Sequence, residues 1–208
     1  MKQESVWFVV VVYKQHPLDT KKLKDTLADY HSIFIDNAEH NRGYGGGANV
    51  GIKEALKNGA EWVVILNQDI VITKTALETF LQSLKTPGIY GPFGGSLDSK
   101  RWTTIFPSRD TQYISGSMIA IHKNVITTIG YFYEPYFMYY EDVDFCIRAK
   151  RAGFLLTKVS SEGIAHKDHA NNFYLARNHF LFVLRQAPLG VKLYELIRLP
   201  KTLYEHWR

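Results

Sequence analysis

Apolar runs alternate with amphipathic stretches along most of this chain. VWFVVVVY, from Val6 to Tyr13, is apolar and β-branched almost throughout, which predicts a buried strand. PLDTKKLKDTLADY follows, opened by Pro17, and reads as an amphipathic helix. Ser32 to Asp36 is a second short strand. A glycine-rich loop, Asn41 to Gly47, then feeds a helix through Asn49, Ile52, Ala55 and Leu56. Glu61 to Leu66 is a third strand, ending in Asn67, Gln68 and Asp69, and Thr75 to Leu84 is another helix. Pro87 to Arg109 is rich in Gly, Pro and Ser and predicts loops with short strands. YISGSMIAIH is strand-like, a short helix follows, and the aromatic, strand-like start of YFMYYEDVDFCIRAKRAG hands over to a helix near Glu141. Asn171 to Arg208 is helical, broken near Pro188-Leu189-Gly190.

This alternation predicts an α/β fold: a mostly parallel, mixed central sheet flanked by helices, whose ligands bind beyond the carboxyl ends of the strands. One domain covers residues 1–170, and 171–208 form a helical C-terminal extension packed on it, on a partner or on a membrane surface.

Composition narrows the class. At 208 residues and 46% hydrophobic content the chain can bury a full core, which excludes a disordered protein. The single cysteine, Cys146, excludes an internal disulfide framework, suits a reducing compartment and reads as a small core residue rather than a nucleophile. No stretch approaches the roughly 20 apolar residues that span a bilayer. The Val6–Tyr13 run is too short for a signal-peptide core with its cleavage site. The expected location is therefore the cytoplasm, with a peripheral place on the inner membrane face left open. A net charge of +5 suits an anionic partner: a nucleotide, a phospholipid surface or nucleic acid. Nucleic acid is the weakest of these, because no compact Lys/Arg cluster is interleaved with aromatics.

Three places carry candidate chemistry. Glu141, Asp142 and Asp144 stand together among aromatic residues. Apolar neighbours that exclude water raise a carboxylate's pKa towards the working range of a general base. The competing reading is an acidic first helical turn, favoured by the helix dipole. Asp69 follows an apolar strand, where a carboxylate can ligate a hard divalent cation shared with substrate phosphates, and Asn67 can add a hydrogen bond or a neutral ligand. A simple turn cap is the plainer reading of Asp69. In NRGYGGGANVGI, Gly43, Gly45, Gly46 and Gly47 let the backbone approach a ligand and expose N–H groups at a helix start. Their spacing does not match the G-x-G-x-x-G dinucleotide fingerprint, and a tight strand–helix turn would need glycine in any case.

In this order the residues resemble a known family, the family 2 inverting glycosyltransferases of GT-A fold related to bacterial rhamnosyltransferases. The resemblance rests on Asn41, Gly43, Tyr44, Gly47, Asn49, Gly51 and Ile52, and on Leu66-Asn67-Gln68-Asp69, a relative of the Asp-x-Asp metal motif. Ser115 to Ile119 continue it, followed by Ile129, Gly130 and Phe132. Phe137, Tyr139 or Tyr140, Glu141, Asp142, Asp144, Arg148 and Gly153 form the next element, and His166, Tyr174, Arg177 and Asn178 the last. The match spans about residues 6–185.

The resemblance implies transfer of a sugar from a nucleotide diphosphate sugar, dTDP- or UDP-linked, to a hydroxyl of a glycan or lipid-linked acceptor in cell-surface polysaccharide synthesis. It makes Asp142 the general base and lets Glu141 orient the site. Asp69 and His166 would hold Mg²⁺ or Mn²⁺, with a surface histidine the alternative for His166. Donor contacts fall on Tyr13, Asp36, Asn41, Gly43, Gly47, Asn49 and Asn67, with Asp36 on the base or ribose. Arg177 is a diphosphate contact or a salt-bridging helix residue. Asp144 pairs with Arg148 if the two share a helix face.

Relatives carry a further helix and strand before the Asn-x-Gly element, whereas here Asn37 reaches Asn41 after three residues. The nucleotide half is thus contracted, which puts the role of Asp36 in question and keeps open a second reading, a degenerate relative that binds nucleotide or glycan without turnover. Tyr133 stands where relatives have an acidic residue. The C-terminal LGVKLYELIRLPKTLYEHWR is amphipathic. It suits an anionic membrane surface, but packing on its own domain or in a homodimer is the simpler expectation.

Overall fold

A computed structural model of the chain describes residues 5–14, 17–166 and 171–207. Its first half runs β1 (Val6–Val12), α1 (Pro17–Thr26), β2 (His31–Asp36), α2 (Gly43–Lys57), β3 (Trp62–Asn67), β4 (Val71–Ile72), α3 (Lys74–Ser83) and β5 (Gly88–Gly91). Then come β6 (Gly94–Leu97), β7 (Thr104–Ile105), β8 (Tyr113–Ile114), β9 (Met118–His122), α4 (Lys123–Ile129) and α5 (Glu141–Arg151). The chain closes with β10 (Leu155–Lys158), β11 (Ile164–Ala165), α6 (Asn172–Gln186) and α7 (Leu189–Trp207).

The main sheet has the order β10-β5-β9-β3-β1-β2. β1 pairs in parallel with β2 and β3, and β5 with β10, while β9 runs antiparallel between β3 and β5. This is the expected mixed, mostly parallel sheet. The β-branched run of β1 is buried on both faces because β1 lies inside the sheet. Val9 and Val11 join a core with Ile52 and Ala55 of α2, Phe145 of α5 and Phe182 of α6. Phe8, Val10 and Val12 point the other way, into a core with Leu23 of α1, Leu27 just beyond it, and Leu77 and Phe80 of α3. Helices therefore cover both faces.

Two sequence expectations need correction. The glycines of 43–47 are not an open loop: α2 already begins at Gly43. They let the helix lie close against the sheet and the turn beyond it. A Cβ on Gly51 would stand 2.2 Å from Val9 Cγ1, one on Gly47 2.9 Å from Val11 Cγ1, and one on Gly43 2.1 Å from the Phe137 carbonyl oxygen. The stretch before Glu141 is not a strand either. A single 3-10 turn (Glu134–Tyr136) leads into Phe137, Tyr139 and Tyr140, which hold φ values of 70°, 63° and 70°. Non-glycine side chains adopt this left-handed region only under outside restraint.

The restraint comes from α6. Asn178, fully buried, donates from Nδ2 to the carbonyls of Tyr136 (2.7 Å), Met138 (2.6 Å) and Tyr139 (3.0 Å). Phe182 and Val183 are also buried, so α6 belongs to the core. α7 is held by Glu195, buried at 2% exposure, whose carboxylate meets Arg101 Nε at 2.9 Å. The boundary expected at residue 170 borders residues 167–170, outside the described residues.

Candidate active site

At the carboxyl end of the parallel strands, β3 delivers Asn67 and, just beyond it, Asp69. β4 follows at once, and β11 pairs with it antiparallel, Ala165 opposite Val71 and Ile164 opposite Ile72. That register carries His166 back beside the end of β3. His166 Nε2 lies 3.3 Å from Asp69 Oδ1 and 3.0 Å from Asn67 Nδ2. The rest of the polar run after His166, residues 167–170, lies outside the described residues.

The His166 and Asp69 side chains are 15% and 25% exposed, so the pair is walled by protein on one side and open on the other. An imidazole nitrogen and a carboxylate oxygen pointing at one another, with an amide that can turn its oxygen inward, form a donor set that fits Mg²⁺ or Mn²⁺. Among the described residues no group of three or more His, Cys, Asp or Glu side chains gathers. A cation here would therefore complete its shell with water and phosphate oxygens, the usual habit of Mg²⁺.

The second cluster forms where α5 meets the break between β8 and β9. Asp142 Oδ2 accepts the Gly116 amide at 2.7 Å, and Oδ1 accepts the Val143 amide at 2.8 Å. The Gly116 carbonyl accepts the Tyr44 hydroxyl. The next residue, Ser117, offers its carbonyl to the Asn67 amide at 2.9 Å, so one short segment ties the two clusters together. Glu141 is 4% exposed and its Oε2 has no hydrogen-bond partner.

Burial governs the electrostatics. It pushes the Glu141 carboxyl well above the usual carboxylate range, and the neighbouring Asp142 adds to the rise. Burial also raises Asp142, against the lowering effect of the amides of Gly116 and Val143. The Tyr44 hydroxyl is pushed well up, first by burial and then by the charges of Glu141, Asp142 and Asp69.

Other expected site residues lie elsewhere or have different partners. Asn49 is buried at 2% exposure and spends its amide on Phe132 and Glu134: Nδ2 donates to the Phe132 carbonyl and Glu134 Oε1, both at 2.9 Å, and Oδ1 accepts the Phe132 amide at 3.0 Å. Gly47 is packing against β1. The amides at the start of α2 are already used: Arg42 N donates to Asn37 Oδ1 (3.0 Å), Gly43 N to Asn41 Oδ1 (3.1 Å) and Tyr44 N to the Phe137 carbonyl (2.6 Å). These three amides are therefore held within the protein.

Arg177 donates to the carbonyls of Pro135 (2.9 Å) and Tyr136 (3.4 Å), bracing the turn before Glu141. Tyr13, 40% exposed, exchanges two hydrogen bonds with the Gln68 side chain at 3.0 and 2.9 Å, and so stays on the rim of the cleft. Asp36 ends β2 in the open and caps the turn through the Ala38 amide. Asp144 has no exposure and meets Arg148 at 2.8 Å, the expected helix pair, as well as Gln186 of α6 at 2.7 Å. Cys146 is buried, the core position expected of it, and burial pushes its thiol up.

Sequence reading missed the work of Gly116, Tyr44 and Asn178. Each was visible as a motif position, but only the fold shows what it holds.

The fold is that of GT-A glycosyltransferases, and the sequence is similar to curated hexosyl- and rhamnosyltransferases. The low-salt glycan biosynthesis hexosyltransferase Agl10 of Haloferax volcanii is 31% identical over 142 residues, 57% of this chain and 46% of that protein. The dTDP-rhamnosyl transferase RfbF of Shigella flexneri is 23% identical over 235 residues, covering 95% of this chain and 77% of its own length. The chain thus spans less than half of the first relative. Among solved structures, the mannosyltransferase PcManGT of Pyrobaculum calidifontis, in complex with GDP-Man and Mn²⁺, shares the fold with a TM-score of 0.56 and 15% identity, over 90% of this chain and 67% of that one. No model of a known protein family matches the chain.

Proposed function

We propose that the protein is a metal-dependent inverting glycosyltransferase that moves a sugar from a dTDP- or UDP-linked donor to a hydroxyl of a glycan or lipid-linked acceptor in cell-surface polysaccharide synthesis. The observation that carries this reading is the tie between the two clusters: Asn67 and Gly116–Ser117 join the Asp69–His166 pair to the Asp142 carboxylate. A donor diphosphate beside Asp69 and an acceptor hydroxyl beside Asp142 would then face one another across Tyr44.

Asp142 takes the proton of the acceptor hydroxyl as its oxygen bonds to the anomeric carbon. The bond from that carbon to the diphosphate oxygen breaks on the opposite face, which inverts the centre. The raised pKa suits a base that must hold the proton after the transfer. Asp69 and His166 would hold Mg²⁺ or Mn²⁺, with Asn67 turned to offer its oxygen; the bound cation supplies charge neutralisation for the departing diphosphate. Glu141, buried beside Asp142 in the sequence, orients the helix start, and burial raises its carboxyl above the usual range. Support for nucleotide sugar with a divalent cation also comes from the GDP-Man and Mn²⁺ of the mannosyltransferase, and for a dTDP donor from the name of the Shigella relative.

One observation favours a second reading. β2 runs into α2 through residues 37–42 with no strand–helix unit between, and β2 is the outer strand of the described sheet. A protein so contracted could bind its ligand without turning it over.

Thermal stabilisation by nucleotide diphosphates and nucleotide sugars, with Mn²⁺, Mg²⁺ or EDTA, tests both, because a ligand for the folded state raises apparent stability by mass action. A metal-dependent shift with dTDP or UDP species, followed by release of the nucleoside diphosphate when a glycan acceptor is added, is the expected result. A shift without turnover would favour the degenerate reading, and no shift with any of them would sink the nucleotide-sugar assignment.

A further inference from the structure

α7 has two unlike faces. Glu195 points inward to Arg101, and Arg101's neighbour Trp102 packs on Phe182 with 5.7 Å between ring centroids. On the opposite side Leu189 (71% exposed), Leu193 (52%), Leu196 (46%), Ile197 (81%) and Tyr204 (60%) form one apolar stripe with the exposed Pro200. Their spacing of three, four and one residues keeps them on a single helical face. At 1.5 Å per residue the stripe is about 22 Å long. Apolar side chains this exposed and this contiguous mark an interaction surface.

The rim of the stripe is basic. Lys192 lies along one edge and Lys201 along the other, and Lys100 reaches over the Tyr194 ring at 4.9 Å. Glu195, the acidic residue at the middle of the helix, is turned away and paired. No helix among the described residues is long and apolar enough to cross a membrane. A helix lying in the plane of a bilayer needs this pattern: an apolar face for the acyl boundary, with cations at the headgroup level. A second copy of the chain fits less well. Six side chains on one helix fall short of the roughly 20–30 residues a side of a stable interface, and the basic rims would face each other.

We propose that α7 lies on an anionic phospholipid surface through the Leu189–Tyr204 stripe, holding the domain on the membrane face without spanning it. The inference stands on the surface of α7 and does not require the catalytic reading.

The test is flotation of the 208-residue chain with phosphatidylcholine vesicles made with and without phosphatidylglycerol. The chain is expected to float with the phosphatidylglycerol vesicles and to be released by high salt. Ile197→Glu should weaken flotation about tenfold or more while leaving the melting curve unchanged, since the side chain touches little of the fold. Lys192→Glu with Lys201→Glu should weaken it on anionic vesicles alone. Three results would overturn the proposal: no flotation with either vesicle, flotation unchanged by Ile197→Glu, or equal flotation on neutral vesicles. Light scattering run alongside would assign the stripe to a second copy if it showed a dimer that Ile197→Glu dissolves while vesicles are ignored.

Discussion

Asp142 accepts the backbone amide of Gly116 at 2.7 Å, a bond that fixes a carboxylate of α5 to the break between β8 and β9. The amide holds one oxygen in place while burial keeps the carboxyl above its ordinary range. Asp142→Asn keeps the shape and removes the base. Its turnover should fall by about 10²–10⁴, the usual worth of a positioned base, with the stabilisation by donor retained. In the unchanged protein the ionised form is the active one, so the rate should decline as pH falls through the raised pKa. Initial rates across pH, on both proteins, check this; a variant as fast as the parent would remove Asp142 from the mechanism.

Glu141 gives the stability of the fold a pH dependence. Its folded pKa is raised, so between the ordinary carboxylate value and the raised one the folded chain binds a proton that the unfolded chain has lost. Stability is therefore undiminished below the ordinary value, falls as pH rises through this window, and carries the full penalty above it. Glu141→Gln removes the ionisation and should flatten the fall, leaving the part that belongs to Asp142. Thermal melts from mildly acidic to mildly alkaline pH would show the two slopes; identical slopes would mean that Glu141 is not held out of water.

Much of the fold was legible because its signals are local. The all-apolar run of β1 announced an interior strand, Pro17 opened α1, and the break at Pro188 separated α6 from α7. The carboxylates were legible because water-avoiding neighbours surround them in sequence as well as in space. The turn at Phe137–Tyr140 was not. Left-handed residues are normally glycine or asparagine, and nothing local reveals an aromatic run bent by an asparagine far along the chain. The job of the glycines in α2 was hidden for the same reason, since what they approach, Val9, Val11 and Phe137, lies on other elements. Arg177 and Asn49 looked like ligand groups because polar residues in a motif do; their bonds to backbone are tertiary facts.

That buried asparagine makes a further prediction. Asn178→Ala would take the side-chain donor from the Met138 and Tyr139 carbonyls, while the Tyr136 carbonyl keeps the Met138 amide and Arg177. Leaving buried acceptors unmet costs about 1–3 kcal/mol, and the left-handed turn would relax as well. Denaturant titration should show a loss of about 2–3 kcal/mol, together with lower turnover because Glu141 and Asp142 follow the turn directly. A variant of unchanged stability would show that the turn keeps its shape without α6.

Asp69 and His166 face one another at 3.3 Å and should act through one shared ion. Asp69→Ala and His166→Ala are each expected to abolish the extra stabilisation that Mn²⁺ gives to donor binding. The double variant should lose no more than either alone, since groups that share one partner are not additive. Melts with donor, with and without EDTA, decide the point: two independent, additive losses would place the residues at separate tasks.

Gly43 and Tyr44 meet Phe137 backbone to backbone, across a long stretch of intervening chain. Such a contact forms only after the segments between have been gathered, because closing a long loop costs entropy before the contact repays it. The cleft is therefore completed late in folding, after the sheet that carries it.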